Sequence, residues 1–162
     1  MNLTLLFAAF CIGIATGLRA FTGVAVVAWA AYVGCIDLAT TPFAFMASPV
    51  AAGIISLIAL GEYVGDVMAN MSSRTAPPAL IARVVFGGLA GACLMSAAGC
   101  SYMIGALIGA VGGVCGAFGG YQARMRLVKA LNIKDIFVAI PEDLVAIGLS
   151  IAVVCCLTQT PQ

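Results

Sequence analysis

Apolar residues fall along this chain in long runs separated by short polar breaks. Set against the roughly 20 apolar residues that a spanning helix needs, the runs fall at 3–16, 20–34, 48–70, 78–97, 101–122 and 136–157. The first two are short for a span. Read as one helix from 3 to 34 they would extend about 48 Å, well beyond a hydrocarbon layer of ~30 Å. The stretch TGLRAFTG, with Arg19 at its centre, is therefore read as a break. The expected fold is all-α: a polytopic transmembrane helix bundle of about six apolar elements, the first two forming a broken helix.

Two helix starts are marked by composition. Ser73-Arg74-Thr75-Ala76 precedes Pro77-Pro78, and proline suits a first helical turn. Ile140-Pro141-Glu142-Asp143 repeats the pattern with acids where a helix dipole favours them, which predicts an interfacial capping role for Glu142 and Asp143. In 101–122 the glycines form two rows spaced by four, Gly105/Gly109/Gly113 and Gly112/Gly116/Gly120. Small-xxx-small rows let helix backbones approach closely in lipid, so this helix is expected to be the most enclosed.

Composition places the chain firmly in the membrane class. Of its 162 residues 64% are hydrophobic and 8% charged, with a mean hydropathy of +1.18, too little polar surface to coat a soluble globule. The length suits one domain over 1–162, with halves 1–72 and 73–162 as a weak inverted repeat: LRAFTGVAVVAWAAYVG faintly echoes IARVVFGGLAGACLMSAAG. The N-terminus lacks a basic stretch before its apolar run and is read as retained. A net charge of +1 without a basic block offers no footprint for nucleic acid. With no histidine, His-ligated metals and His-based triads are excluded, and no cofactor is expected. The seven cysteines include no C-x-x-C pair and are read as small hydrophobes. Cys35 and Cys100 share the expected outer side, where a bridge is open but not favoured.

Arg124, Arg126, Lys129 and Lys134 cluster in 123–135, which orients that end to the cytoplasm and the C-terminus outside. The lipid bilayer is then one partner, a second copy of the chain another, and the expected location is a bacterial inner membrane. On this topology Glu62, Arg83 and Asp143 lie about 12, 8 and 10 Å from the inner ends of their segments, and Arg19 sits at the inner break. Glu62 and Asp66, four residues apart in GEYVGD, share a helix face. A charge in hydrocarbon costs about 2.5–3.5 kcal/mol, so such groups pair, face the interior or line a wet cavity. Arg19, Glu62, Asp66 and Arg83 thus form a candidate ion- or solute-binding site, with Arg74, Glu142 and Asp143 at its margin. A structural reading, in which the acids only salt-bridge Arg83 or Arg19, stands beside it. Tyr63, Tyr121, Tyr32 and Trp29 read as interfacial belt residues.

Three functions fit this pattern. The first is a small transporter or channel for an ion or solute, with a cavity open to the cytoplasm. The second is a membrane enzyme on a phosphorylated lipid, its carboxylates holding Mg²⁺ and Arg19, Arg74 and Arg83 clamping phosphate. The third is an assembly protein whose ion pairs hold the bundle. The runs TGLRAFTGVAVVAWAA, GEYVGD, SSRTAPPALIARVVFGGLAGA, GAFGGYQARMRLVKAL and PEDLVAIG resemble a bacterial membrane family catalogued as domain of unknown function 4126. The resemblance spans nearly the whole chain and is most specific at SRTAPPALIAR. It implies the membrane class and shared charged positions, and names no substrate. Members carry a basic, proline-containing stretch after the GE…D element, where this chain has VMANMSS.

Overall fold

A computed structural model describes residues 3–68, 77–131 and 136–159, with the backbone alone described at 66–68, 131, 136–138 and 159. Among the described residues the chain forms six α-helices: α1 (Leu3–Leu18), α2 (Thr22–Tyr32), α3 (Pro49–Met68), α4 (Pro77–Ala97), α5 (Tyr102–Leu131) and α6 (Ile136–Gln159). A short 3-10 turn, Ala44–Ala47, precedes α3. The all-helical bundle has the inverted polarity of a membrane protein. Large apolar side chains such as Leu57 and Leu107 are 69% and 70% exposed, while Arg19 and Arg83 are 2% and 5% exposed. Three helices (Pro77–Ala97, Tyr102–Ala130, Ala139–Thr158) are long and apolar enough to cross a bilayer.

Helices α1, α4 and α5 form the centre, and glycine brings them together. The 105/109/113 row of α5 lies against α4: Gly105 meets Gly91, Gly109 meets Gly87, and a Cβ on Gly113 would sit 2.7 Å from the Arg83 carbonyl oxygen. The 112/116/120 row lies against α1, where Gly112 meets Phe10 and Gly13, Gly116 meets Ile14 and Gly17, and Gly120 meets Leu18. Numbers rise together along α1 and α5 and oppositely along α4 and α5, so α5 runs parallel to α1 and antiparallel to α4. Gly13, Gly87 and Gly109 meet where the three helices cross. The Thr16 hydroxyl lies beside that crossing and donates to the Gly13 carbonyl at 2.7 Å, so no polar group is left over there.

Two glycine faces do not make α5 the most enclosed helix, contrary to the sequence expectation. Its third face, with Leu107, Val111 and Phe118, points outward. A glycine row removes side chains from a contact, so each contact occupies a narrow strip and leaves the rest of the helix to lipid. Enclosure falls instead to α2, where eight of 11 residues are buried.

At 11 residues α2 is about 16 Å long, half of a hydrocarbon layer. It folds back on α1, Gly23 lying against Thr16 and Ile12. It ends at Gly34, whose φ of +78° suits glycine after a helix, and the Cys35 amide returns to the Ala30 carbonyl at 2.8 Å. The segment beyond fills the space above it with buried Ile36, Leu38 and Met46. The break expected near Arg19 is thus a tight reversal at Arg19–Phe21 between two short helices.

Helix α6 begins at Ile136 and holds Pro141 inside it, so Glu142 and Asp143 lie beyond its first turn. This corrects their reading as helix-start acids: one more turn of helix precedes the proline. None of the seven cysteines is in a disulfide.

The glycine contacts make a direct expectation. Gly109→Ala drives a methyl into the Gly87 carbonyl, where backbone rather than a flexible side chain stands in the way. Overpacking of this kind costs about 1–3 kcal/mol. Gly119→Ala, with open space around it, serves as control. Thermal unfolding in detergent should show a lowered midpoint for the first variant and an unchanged one for the second.

Candidate functional site

The reversal between α1 and α2 leaves two helix ends side by side inside the bundle. The C-terminal end of α1 is the negative end of its dipole and suits a cation; the N-terminal end of α2 is positive and suits an anion. Both are supplied. Arg19, whose amide donates to the Ala15 carbonyl at 3.0 Å, places its guanidinium at the end of α1. Glu62, on α3, brings its carboxylate to the start of α2. Its Oε1 accepts from the Ala20 amide at 3.0 Å and its Oε2 from the Phe21 amide at 3.2 Å. Helix α2 has no capping bond from its own N-cap residue, Phe21, so a carboxylate from another helix satisfies backbone donors at the break.

Among the described residues, ion pairs around this break join five helices. Arg19 Nε donates to Asp143 Oδ1 of α6 at 2.6 Å. Arg83 of α4 approaches Glu62, Nη2 to Oε1, at 4.0 Å. That distance is at the outer limit of an ion pair, and the two backbone bonds hold Glu62 more closely. Arg124 of α5 faces Glu142 of α6 at 3.6 Å. The Arg19 guanidinium also lies 4.8 Å from the centre of the Tyr63 ring, and the Tyr63 hydroxyl shares a 2.8 Å hydrogen bond with Thr22. Arg19 therefore ties α1, α3 and α6 at a single point.

Of the expected site residues, Arg19, Glu62, Arg83, Glu142 and Asp143 meet at one end of the bundle. The Glu62–Arg83 approach is one of the pairings expected for the acids of α3. The Arg19–Asp143 pair joins α1 to α6 instead, while Glu62 is held mainly by the backbone of the break. The Asp66 side chain and Arg74 lie outside the described residues. Among the described residues no three acidic or cysteine side chains gather as metal ligands.

Sequence reasoning missed three members. Arg124 served only to orient the chain, yet it lies four residues beyond Gly120 and continues the row that faces α1. Tyr63 was read as a belt residue, but Ala52, Ala59 and Tyr63 fall at helical spacing on one face, and both alanines are buried. Thr22 opens α2, where polar side chains serve helix starts; here its partner is a tyrosine on another helix.

The family described as Domain of unknown function (DUF4126) matches residues 6–156, nearly the whole chain, and the protein belongs to it. No curated protein and no solved structure matches the chain.

The Arg19–Asp143 pair yields a double-mutant test. Arg19→Gln or Asp143→Asn alone removes one partner of this 2.6 Å bond, and each should cost about 1.5–3 kcal/mol, the worth of a hydrogen bond to a charged group. The double variant should cost much less than the sum of the two. Unfolding free energies in detergent, compared over the four proteins, measure the coupling; strictly additive losses would mean that the two charges do not act as a pair.

Proposed function

We propose that the protein is a small multi-pass transporter or channel of a bacterial inner membrane, moving an ion or small solute through a charged site at its cytoplasmic side. One observation carries this reading: a helix reversal buried among apolar helices, with charged side chains brought to it from other helices. Broken backbone at membrane depth is tolerated where protein or a wet cavity satisfies it, and half-helix ends are a recurring way of holding ions in carriers. A bundle that needed only mechanical stability could have used apolar residues at these places, since buried ion pairs add little stability. On this reading Glu62 and Asp66 serve a cation or proton. Arg19 and Arg83 serve an anion or act as counter-ions, and Arg74, Glu142 and Asp143 line the approach. The cytoplasmic placement follows from Arg124, Arg126 and Lys129 at the same end of α5. Assembly into a homo-oligomer belongs to the same proposal.

The assembly reading has its own support, because Arg19, Arg83 and Arg124 each face an acid from another helix.

Flux in liposomes against a panel of ions and small solutes separates these readings. Glu62→Gln and Asp66→Asn keep shape and remove charge. Transport is expected to fall by roughly tenfold or more while size-exclusion profile and helicity stay as in the unsubstituted protein. Variants that assemble and still move the solute at the original rate would assign the carboxylates to the scaffold.

A further inference from the structure

Helix α3 is attached unlike the others. Its helix packing is with α2 and the 3-10 turn, and the side chains it buries fully are two alanines, Ala52 and Ala59. Ile54, Leu57, Leu60 and Val64 point outward. Small apolar contacts hold a helix weakly in lipid, where no hydrophobic force drives helices together. Polar bonds take over that task, and they are unevenly spread. Among the described side chains there is one at mid-helix, from Trp29 Nε1 to Ser56 Oγ at 2.9 Å. At the inner end, adjacent residues Glu62 and Tyr63 reach two amides of the break, Arg83 and Thr22.

The outer end is anchored differently. Met46 is fully buried, and Ser48, in an extended conformation (φ −82°, ψ 142°), caps α3 by accepting from the Ala51 amide at 3.1 Å. From Ser48 to Glu62 is an arm of about 21 Å by helical rise. The glycines along α3 (Gly53, Gly61 and Gly65) have nothing against them, whereas those of α5 facing α1 and α4 are pressed onto neighbouring backbone. A fixed outer end, a thin apolar seam and an inner end where adjacent Glu62 and Tyr63 reach the helix break describe a latched arm.

We propose that α3 is a gate helix, latched on the α1–α2 reversal by the Glu62 carboxylate and released when its bonds to the Ala20 and Phe21 amides are lost. The Glu62 carboxylate accepts from both Ala20 and Phe21 while facing Arg83, so a side chain with one accepting oxygen leaves one of these amides without an acceptor. The groups facing Glu62 are Arg83 from α4 and, around Tyr63, Arg19 at the end of α1, with Asp143 of α6 on the far side of Arg19. Neither α2 nor the 3-10 turn carries a charged residue. Both arginines draw the carboxylate toward the latched position, so a solute anion competing for Arg83 favours release. Release swings the inner half of α3 outward and uncovers Arg83 and the two amides. The gate is independent of whether any solute passes, since its state is read without one.

Hydrogen–deuterium exchange of the full chain in nanodiscs, paired with fluorescence of the sole tryptophan, Trp29, tests this. In Glu62→Gln the amides of 19–24 and of the inner half of α3 should exchange roughly tenfold faster, the scale of one lost hydrogen bond. Trp29 emission should shift as its contact with Ser56 loosens, and exchange at 87–91 and 105–113 should stay unchanged. Tyr63→Phe keeps the charge and the ring under Arg19 but loses the Thr22 bond, and should give a smaller rise confined to the same segments. Unchanged exchange at 19–24 in Glu62→Gln overturns the proposal, as does an equal rise at 87–91. Should Glu62→Gln fail to fold, unchanged exchange in Tyr63→Phe overturns it as well.

Discussion

The structure turns on a backbone that reverses direction inside an apolar bundle. Ending α1 and starting α2 at the same level leaves carbonyls and amides that the surroundings cannot hydrate, and each unsatisfied group there costs several kcal/mol. Side chains from elsewhere must answer them. Glu62 supplies acceptors to Ala20 and Phe21. A carboxylate placed there needs a cation, and Arg83 is within reach. Arg19, at the other side of the same break, needs an anion and finds Asp143. The cluster of charge follows from one local decision about the chain path.

Close packing makes this possible. In lipid the helices gain nothing from burying apolar area against one another, and van der Waals contact at short range takes its place. The two glycine rows of α5 bring α1 and α4 within backbone contact on either side. The same rows set where the charges fall. Arg83 stands one turn before Gly87 and two turns before Gly91 on α4, and Arg124 one turn after Gly120 on α5. Each guanidinium is thereby aimed into the bundle by the spacing that seats the glycines.

Stability and movement divide along the same line. The α1–α4–α5 centre is held by many short backbone contacts that cannot be loosened singly. Helix α3 is held at the edge by a few polar bonds concentrated at one end. On the proposed function the charged end of α3 is where movement and chemistry would coincide, because moving elements are drawn from the less stable parts of a fold.

Much of this was written in the linear pattern. Run lengths and breaks determined six helices and a discontinuity at Arg19, and the spacing of glycines determined two packing faces on α5. Helical rise put Arg19, Glu62, Arg83 and Asp143 at one level. Depth is legible because 1.5 Å per residue makes position along a helix a matter of counting. Direction around the helix is not, in a chain whose lipid-facing and protein-facing sides are equally apolar. Only the tertiary structure decided that Glu62 meets backbone, that Arg19 meets Asp143, that Tyr63 lies under a guanidinium, and that α2 rather than α5 is enclosed. Each depends on how neighbouring helices are rotated and spaced, which close contacts among several helices set together and no single segment encodes.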